Sequence, residues 1–271
     1  MNAVDPRDVL TRQAALPEVV LRYAGHRDGI IDVHVPEAAR DGGPVPLVVL
    51  VHGGFWRAGF DRLHNRPMAR ALVEEGYLVA AVEYRRVGPP PAEGGWPTTG
   101  TDVEAAVLAL PGLLDGLGLA ATTTSLVGHS AGGHLVLWLA SRPGVTADRV
   151  VALAPVADLR AAARERLGDG ATQDLLGGGP DEVPERYADA DPLTLLDPGT
   201  APPGRIVLVH GTDDDVVPVS QSRSLAAALP DVGLRELPGA GHFEVIDPLS
   251  TAWPTVLDAL GSPPPSGPAA G

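Results

Sequence analysis

The stretch TSLVGHSAGGHLVLWLAS, residues 124–141, decides the fold. Its first part, 124–127, is a short run of strand-forming residues, and the apolar residues of 131–141 recur with helical spacing. Glycines stand two positions before Ser130 and two and three positions after it. Small residues at these positions leave room for a sharp bend in the chain. The stretch therefore predicts a buried strand, a tight turn carrying Ser130, and a helix.

The turn itself, Gly128-His129-Ser130-Ala131-Gly132, matches the G-x-S-x-G pattern of a nucleophile elbow, in which the bend exposes a serine hydroxyl at the end of a strand. The alternative interpretation is a glycine-rich turn in which the serine only caps the helix, because such a turn would match the same sequence pattern. The position between a strand and a helix favours the nucleophile.

Further short apolar runs on both sides of this stretch predict more buried parallel strands, with helical patterns between them. The strand predictions are 47–51, 78–84, 149–154, 206–209 and 234–237, and the helix predictions are 67–75, 102–117 and 220–228. This alternation predicts an α/β fold with a mostly parallel, doubly wound sheet. Two earlier runs, 19–23 and 30–35, predict an antiparallel hairpin at one edge.

The domain prediction is one α/β domain over residues 1–261. Within it, about 158–203 has no convincing strand and is long for a connection, so it is interpreted as an inserted cap. The end of the chain, 262–271, reads SPPPSGPAAG and offers too little apolar surface to order itself. It is predicted to be a disordered tail.

The composition excludes several classes of partner and mechanism. Twenty basic residues against 34 acidic ones give a net charge of −14, which disfavours nucleic acid and anionic membrane surfaces. All the basic residues are arginine, so lysine chemistry is excluded, and the lack of cysteine removes thiol nucleophiles. No zinc-binding pattern such as H-E-x-x-H occurs. We expect no metal and no cofactor.

The location and assembly state are less constrained. The first residues carry charges and no apolar run, and no stretch approaches the roughly 18 apolar residues that span a bilayer. A cytoplasmic protein is the expectation. The oligomeric state is left open, with a homodimer as one option.

A serine nucleophile needs a base and an acid, which follow such an elbow in the order acid, then histidine. Two of the eight histidines, His210 and His242, have a suitable loop context after Ser130. His210 precedes the aspartates and violates the order, whereas His242 lies in the flexible loop GAGHF. We predict His242 as the base. The acid is one of three adjacent aspartates, 213–215, and spacing alone does not choose among them.

The residues His52-Gly53-Gly54-Phe55-Trp56 follow the predicted strand 47–51. A glycine loop at the end of a strand lets backbone N–H groups approach a developing oxyanion. This loop, together with Ala131 after the predicted nucleophile, is therefore the predicted oxyanion hole. His52 is interpreted as a residue that orients the loop.

Together these motifs resemble those of the α/β-hydrolase superfamily, and the resemblance extends from about residue 19 to residue 260. The HGGFW motif is similar to the H-G-G-x-W signature of small esterases and kynurenine formamidases, which are related to the hormone-sensitive-lipase group. The family pattern H-G-x-x-D-x-x-V-P implies Asp214 as the acid. The same resemblance implies Gly54 and Phe55, with Ala131, as oxyanion donors. It also implies an ion pair between Arg85 and Asp102 that braces the sheet.

The combined prediction is a cofactor-free serine hydrolase that cleaves a small ester or amide, with Ser130, Asp214 and His242 as its catalytic triad. Trp56, Trp96 and His129 are candidate residues of the substrate pocket. An arylformamidase acting on N-formylkynurenine-type substrates is the alternative activity. The alternative class is a hydrolase-fold protein that binds a small molecule without turnover, and retention of all three triad groups argues against it.

Overall fold

The computed structural model describes residues 5–196 and 204–261. Within these residues, eight strands form one sheet in the order β1-β2-β4-β3-β5-β6-β7-β8. The first two strands pair antiparallel, β2 pairs antiparallel with β4, and every later pair is parallel. The strands are β1 Val19–Arg22, β2 Ile30–His34, β3 Val45–Val51, β4 Leu78–Val82, β5 Ala121–His129, β6 Arg149–Leu153, β7 Arg205–Gly211 and β8 Gly233–Leu237.

Helices cover both faces of this sheet. They are α1 Glu37–Arg40, α2 Arg66–Glu74, α3 Thr98–Asp115, α4 Ala131–Leu139, α5 Leu159–Arg164, α6 Leu167–Leu176, α7 Pro184–Ala190, α8 Pro192–Leu195, α9 Ser220–Ala228 and α10 Trp253–Leu260. Three short 3₁₀ helices, Pro6–Leu10, Arg62–Asn65 and Glu244–Ile246, complete the described elements.

The central strands are apolar on both faces because each face has its own core. On β3, Leu47, Val49 and Val51 belong to one core, and Val48 and Leu50 belong to the other. All of β3 is buried. A strand covered on both faces reads as a continuous apolar run, which is why the sequence shows no alternation here.

The predicted doubly wound, mostly parallel sheet is confirmed, and so is the antiparallel hairpin at its edge. One helix starts earlier than predicted, at Thr98 rather than residue 102. The reason is a tertiary contact, because the Thr99 hydroxyl donates to the Arg85 carbonyl at 2.7 Å and holds the first turn. The Arg85 to Asp102 ion pair is also confirmed, with Nη2 and Oδ1 2.7 Å apart.

The predicted cap contains α5 to α8 within 158–196, and its last residues, 197–203, lie outside the described part. It packs against the glycine loop after β3. A Cβ at Gly168 would lie 2.8 Å from the Phe55 ring, and Arg57 pairs with Asp174 at 2.8 Å. The predicted tail, 262–271, also lies outside the described residues.

The sheet order places a crevice at the carboxyl ends of its central strands. The parallel strands β4 and β5 lie on opposite sides of β3, so the chain winds away from β3 in both directions. Ligands of open α/β sheets bind outside the strand ends at such a switch point. The loops that follow β3, β5, β7 and β8 therefore meet at one edge. Within 5–196 and 204–261, no helix has both the length and the apolar character needed to cross a bilayer.

Candidate active site

The turn after β5 is as sharp as the glycine spacing predicts. Ser130 has φ 55° and ψ −116°, a strained conformation for a residue with a side chain. A Cβ at Gly128 would lie 2.1 Å from the Gly132 carbonyl oxygen, and a Cβ at Gly132 would lie 2.2 Å from that of Val51. Both glycines are required because backbone atoms occupy the space. The strained turn holds Ser130 at the edge of the sheet.

The loops after β7 and β8 bring together the predicted acid and base. Asp214 Oδ2 is 2.7 Å from His242 Nδ1, and both residues are buried. The backbone N–H groups of Val216 and Val217 donate to Asp214 Oδ1 at 2.9 and 2.7 Å. Burial raises the pKa of Asp214, but hydrogen bonds from His210 and His242 outweigh it and hold that pKa below its ordinary value. The carboxylate stays ionised beside the imidazole.

The two neighbouring aspartates point elsewhere. Asp213 accepts a hydrogen bond from the Thr212 hydroxyl at 2.9 Å, and its backbone N–H donates to the Ala240 carbonyl at 3.0 Å. Asp215 is exposed and lies 4.0 Å from Arg7. Only Asp214 of the three contacts His242, so the structure distinguishes residues that spacing alone does not.

His129 supports the backbone of the predicted base. Its Nε2 is 3.0 Å from the His242 carbonyl oxygen, so this nitrogen carries the proton and donates it. The two imidazole rings lie 4.5 Å apart, centroid to centroid. Burial is the main reason why the pKa of His129 lies well below its ordinary value, and the nearby His242 lowers that pKa further. His129 therefore acts as a neutral donor that fixes the position of the loop.

Buried neutral histidines make the fold sensitive to acid. Burial lowers the pKa of His64 to about 3 and of His134 to about 4, and it also lowers that of His129. An unfolded histidine titrates near 6.5, so below that pH the unfolded chain binds more protons and stability falls. His64 and His134 are each expected to contribute a loss on the order of 3 kcal/mol by about pH 4. Asp191, whose pKa burial raises to about 6, offsets part of this loss.

The measurement is urea unfolding between pH 7.5 and pH 4.5. A His134→Gln variant is the control, because an amide can still donate to the Ala190 carbonyl, to which His134 Nε2 lies 2.9 Å away. This variant is expected to show a shallower loss on acidification. Equal unfolding free energies at the two pH values would contradict the assignment of these histidines as neutral.

The glycine loop after β3 has an unusual backbone. Gly54, Phe55 and Trp56 have φ values of 111°, 51° and 56°, and among the described residues no acceptor meets the N–H groups of Gly54 and Phe55. Ala131 is the first residue of α4, so its N–H has no partner within the helix. These three N–H groups are the predicted oxyanion donors. Their geometry leaves them available to an oxygen outside the chain.

A buried ionic group holds this loop in place. The His52 ring stacks on Tyr84 at 4.2 Å, and its Nε2 is 2.9 Å from Glu83 Oε1. The Tyr84 hydroxyl donates to the His52 carbonyl at 2.9 Å. Burial raises the pKa of Glu83, but His52 and Arg86 outweigh it and lower that pKa to about 2. His52 orients the loop, as its position in the sequence suggests.

One cavity of about 130 Å³ lies at the junction of these loops. Its lining residues are Leu10, Gly54, Phe55, Phe60, His64, His129, Ser130, Val216, His242 and Phe243. The cavity therefore joins the predicted nucleophile, base and oxyanion loop. Ser130 and His242 form no hydrogen bond with each other, and such bonds often tighten only when substrate is bound.

Two predicted pocket residues lie elsewhere. Trp56 is 0% exposed and packs edge-on against His134, and Trp96 is 6% exposed and donates through Nε1 to Asp189 Oδ2 at 2.8 Å. Neither tryptophan lines the cavity, whereas His129 does. The positive φ of Trp56 turns its side chain away from the sheet edge and into the core. The structure places both tryptophans as packing residues.

Sequence reasoning missed the apolar lining of the cavity. Phe60 and Phe243 follow the two motif loops and carry no signal of their own beyond that proximity. Leu10 comes from the first 3₁₀ helix, 120 residues before Ser130 in the sequence. Arg12, two residues after Leu10, binds both carboxylate oxygens of Asp247 and holds this segment against the loop after His242. No local pattern predicts this long-range contact.

The sheet order, the strained serine turn and the loops at the strand ends define an α/β-hydrolase fold. The chain belongs to the BD-FAE family, whose model matches residues 31–229. The structural likeness extends further along the chain. Esterase B of Lactobacillus rhamnosis has a TM-score of 0.75 at 22% identity, over 94% of this chain and 88% of its own. Thermogutta terrifontis esterase 2, in a form phosphoramylated by tabun, has a TM-score of 0.70 at 19% identity, over 89% and 91%.

Curated relatives at the sequence level are mycobacterial esterases. Esterase LipC of Mycobacterium tuberculosis is 29% identical over 226 residues, which is 75% of this chain and 54% of LipC. Esterase LipQ of the same organism is 27% identical over 250 residues, 85% of this chain and 58% of its own length. This chain spans about half the length of the curated relatives it matches.

Proposed function

We propose that this protein is a serine hydrolase that cleaves small carboxylic esters, with Ser130, Asp214 and His242 as its catalytic triad. The observation that carries the proposal is the 130 Å³ cavity, into which Ser130 and His242 both open while Asp214 holds His242 Nδ1 at 2.7 Å. The relatives named esterases support ester substrates over amides.

In the proposed acylation step, Ser130 Oγ attacks the carbonyl carbon and His242 Nε2 accepts the hydroxyl proton. Asp214 keeps the proton of His242 on Nδ1, so Nε2 is free to act as the base. The backbone N–H groups of Gly54, Phe55 and Ala131 stabilise the negative oxygen of the tetrahedral intermediate. His242 then donates its proton to the leaving alcohol.

In the proposed deacylation step, water enters and gives a proton to His242 as it attacks the acyl carbon. The new tetrahedral intermediate collapses to the free acid and Ser130 Oγ recovers its proton. Apart from the water, both steps use only groups that the chain supplies. The neutral His129 takes no part in these transfers, because its donor is engaged with the His242 carbonyl.

The test of this proposal is a hydrolysis screen of p-nitrophenyl esters beside an aryl formamide, combined with labelling by a fluorophosphonate. The tabun-modified relative supports the expectation that an organophosphorus reagent bonds covalently to the serine. We expect ester turnover and a single labelled peptide containing Ser130. Formamide hydrolysis above ester hydrolysis would favour the arylformamidase alternative. Labelling without any turnover would favour a binding protein.

The cavity volume makes a specific prediction about acyl chain length. A cavity of about 130 Å³ is slightly smaller than the engineered cavity of about 150 Å³ that holds one benzene. Short acyl groups are therefore expected to fit and long ones to be excluded. Since each excluded methylene discriminates by about 1 to 3 kcal/mol, acetyl and butyryl esters are expected to exceed octanoyl esters by at least about 100-fold in kcat/KM.

A pair of leucine variants checks that this cavity sets the preference. Leu10→Ala enlarges the cavity and is expected to raise kcat/KM for octanoyl esters about tenfold relative to acetyl esters. Leu63→Ala is the matched control, because Leu63 is exposed and does not line the cavity. A wild-type maximum at eight carbons, or equal shifts in both variants, would contradict the size argument.

A further inference from the structure

A second histidine contacts the acid of the proposed triad. His210, at the end of β7, is fully buried, and its Nε2 lies 3.3 Å from Asp214 Oδ2 and 2.8 Å from the Val217 carbonyl oxygen. Its Nδ1 lies 2.7 Å from the hydroxyl of Ser222 on α9, which is also buried. The proposed chemistry does not use His210, and its place before the aspartates excludes it as the base.

The hydrogen-bond partners determine which ring nitrogen of His210 carries the proton. The Val217 carbonyl and the Asp214 carboxylate are both acceptors, so Nε2 must donate. The Ser222 hydroxyl donates to Nδ1, which fixes this tautomer from the opposite side of the ring. The His210 N–H therefore donates to the Val217 carbonyl and lies beside the same carboxylate oxygen that binds the base.

Both carboxylate oxygens of Asp214 face donor groups. Oδ1 accepts the two backbone N–H groups of Val216 and Val217, and Oδ2 accepts from His242 at 2.7 Å and faces His210 at 3.3 Å. The carboxylate side chain is 0% exposed. Three hydrogen bonds hold the carboxylate in one orientation, and the second imidazole, with Nε2 3.3 Å from Oδ2, takes part of the negative charge that would otherwise face His242 alone.

We propose that His210 is a positioning residue of this hydrolase, which fixes Asp214 Oδ2 toward His242 and limits how strongly that oxygen binds the charged base. This inference rests on the proposed function. Asp214 and His129 face His242 from the two packed loops, and His210 faces Asp214 from β7, so these are the groups that affect the base. Without His210, Oδ2 binds the protonated form of His242 more strongly.

The test compares two variants at position 210. His210→Met removes the bond to the Val217 carbonyl and the N–H beside Oδ2, and we expect kcat to fall about tenfold with KM nearly unchanged, because Asp214 is then less firmly positioned. The acid limb of the kcat/KM profile is expected to move to higher pH. His210→Gln keeps an N–H near the position of Nε2 and is expected to restore most of kcat and the native profile. His34→Met, a buried histidine on β2 outside the site, is the matched control.

A readout without turnover separates this inference from the proposed function. The histidine NMR signals of His242 are followed through a pH titration in native, His210→Met and His34→Met proteins, and only His210→Met is expected to shift the midpoint. A lowered Tm with a native titration and a native pH profile would overturn the positioning role.

If His210→Met does not fold, Ser222→Ala is measured instead and is expected to give a smaller shift in the same direction. The absence of any shift in Ser222→Ala would then overturn the role. Failure of the proposed function itself gives a different result, because hydrolysis would then persist in a Ser130→Ala variant.

Discussion

Replacing Ser130 with alanine is expected to abolish ester hydrolysis and leave the fold intact. The Ser130 backbone N–H donates to the Leu153 carbonyl at 2.8 Å, and this bond does not depend on the side chain. Alanine replaces serine without adding volume at the strained turn. The only nucleophile of the proposed mechanism is lost, so kcat is expected to fall about 10⁶-fold, the scale measured when the serine of a protease triad is removed.

The assay is p-nitrophenyl acetate hydrolysis together with thermal unfolding of the same samples. Ser141→Ala is the control serine variant, because its hydroxyl donates to the Trp138 carbonyl at 2.7 Å at the end of α4, away from the cavity. It is expected to keep native kcat. Retention of more than a few per cent of native activity by Ser130→Ala, in protein free of contaminating esterase, would remove the serine mechanism.

The second large effect is expected at Asp214. An Asp214→Asn variant replaces the acceptor of the His242 Nδ1 proton with an amide, which favours the wrong tautomer of the base. Such a change costs about 10⁴-fold in kcat where it has been measured in a triad. The expected loss is therefore about four orders of magnitude, measured as kcat/KM with an activated ester.

The two neighbours supply matched controls for this variant. Asp213→Asn and Asp215→Asn make the same chemical change, but Asp213 binds only the Thr212 hydroxyl and Asp215 lies 4.0 Å from Arg7 at the surface. Both are expected to keep kcat/KM within a factor of about three, because neither carboxylate contacts His242. Greater damage at either neighbour would show that the acid is assigned to the wrong residue.

The fold was predictable from local pattern to a large degree. Strands buried on both faces leave continuous apolar runs, and the strained turn at Ser130 leaves its glycines, because backbone contacts at 2.1 and 2.2 Å exclude any side chain there. The apolar runs and the glycines are recognisable within a few residues of sequence, although the 2.2 Å contact of Gly132 is with Val51 on β3. The hairpin β1–β2 was predictable for the same reason, since its two strands are joined by a short turn.

The pocket was predicted less well because it depends on tertiary packing. Trp56 and Trp96 have the chemistry of pocket residues, but burial against His134 and hydrogen bonding to Asp189 are contacts between distant segments. Leu10 enters the cavity from a segment with no motif. A sequence indicates which residues are apolar, whereas the choice between core and cavity is made by the assembled fold.

The contact between Arg12 and Asp247 also has a consequence for the order of folding. These residues are separated by 235 positions, so the cavity wall that carries Leu10 is completed only after synthesis has passed Asp247. Closure over such a distance is slow compared with formation of the serine turn, whose contacts with Val51 on β3 and Leu153 on β6 span far fewer residues. A nascent chain is therefore expected to acquire its bent serine before it can enclose a substrate, and the proposed reactivity is expected only once the loop at Asp247 docks onto the segment that carries Leu10 and Arg12.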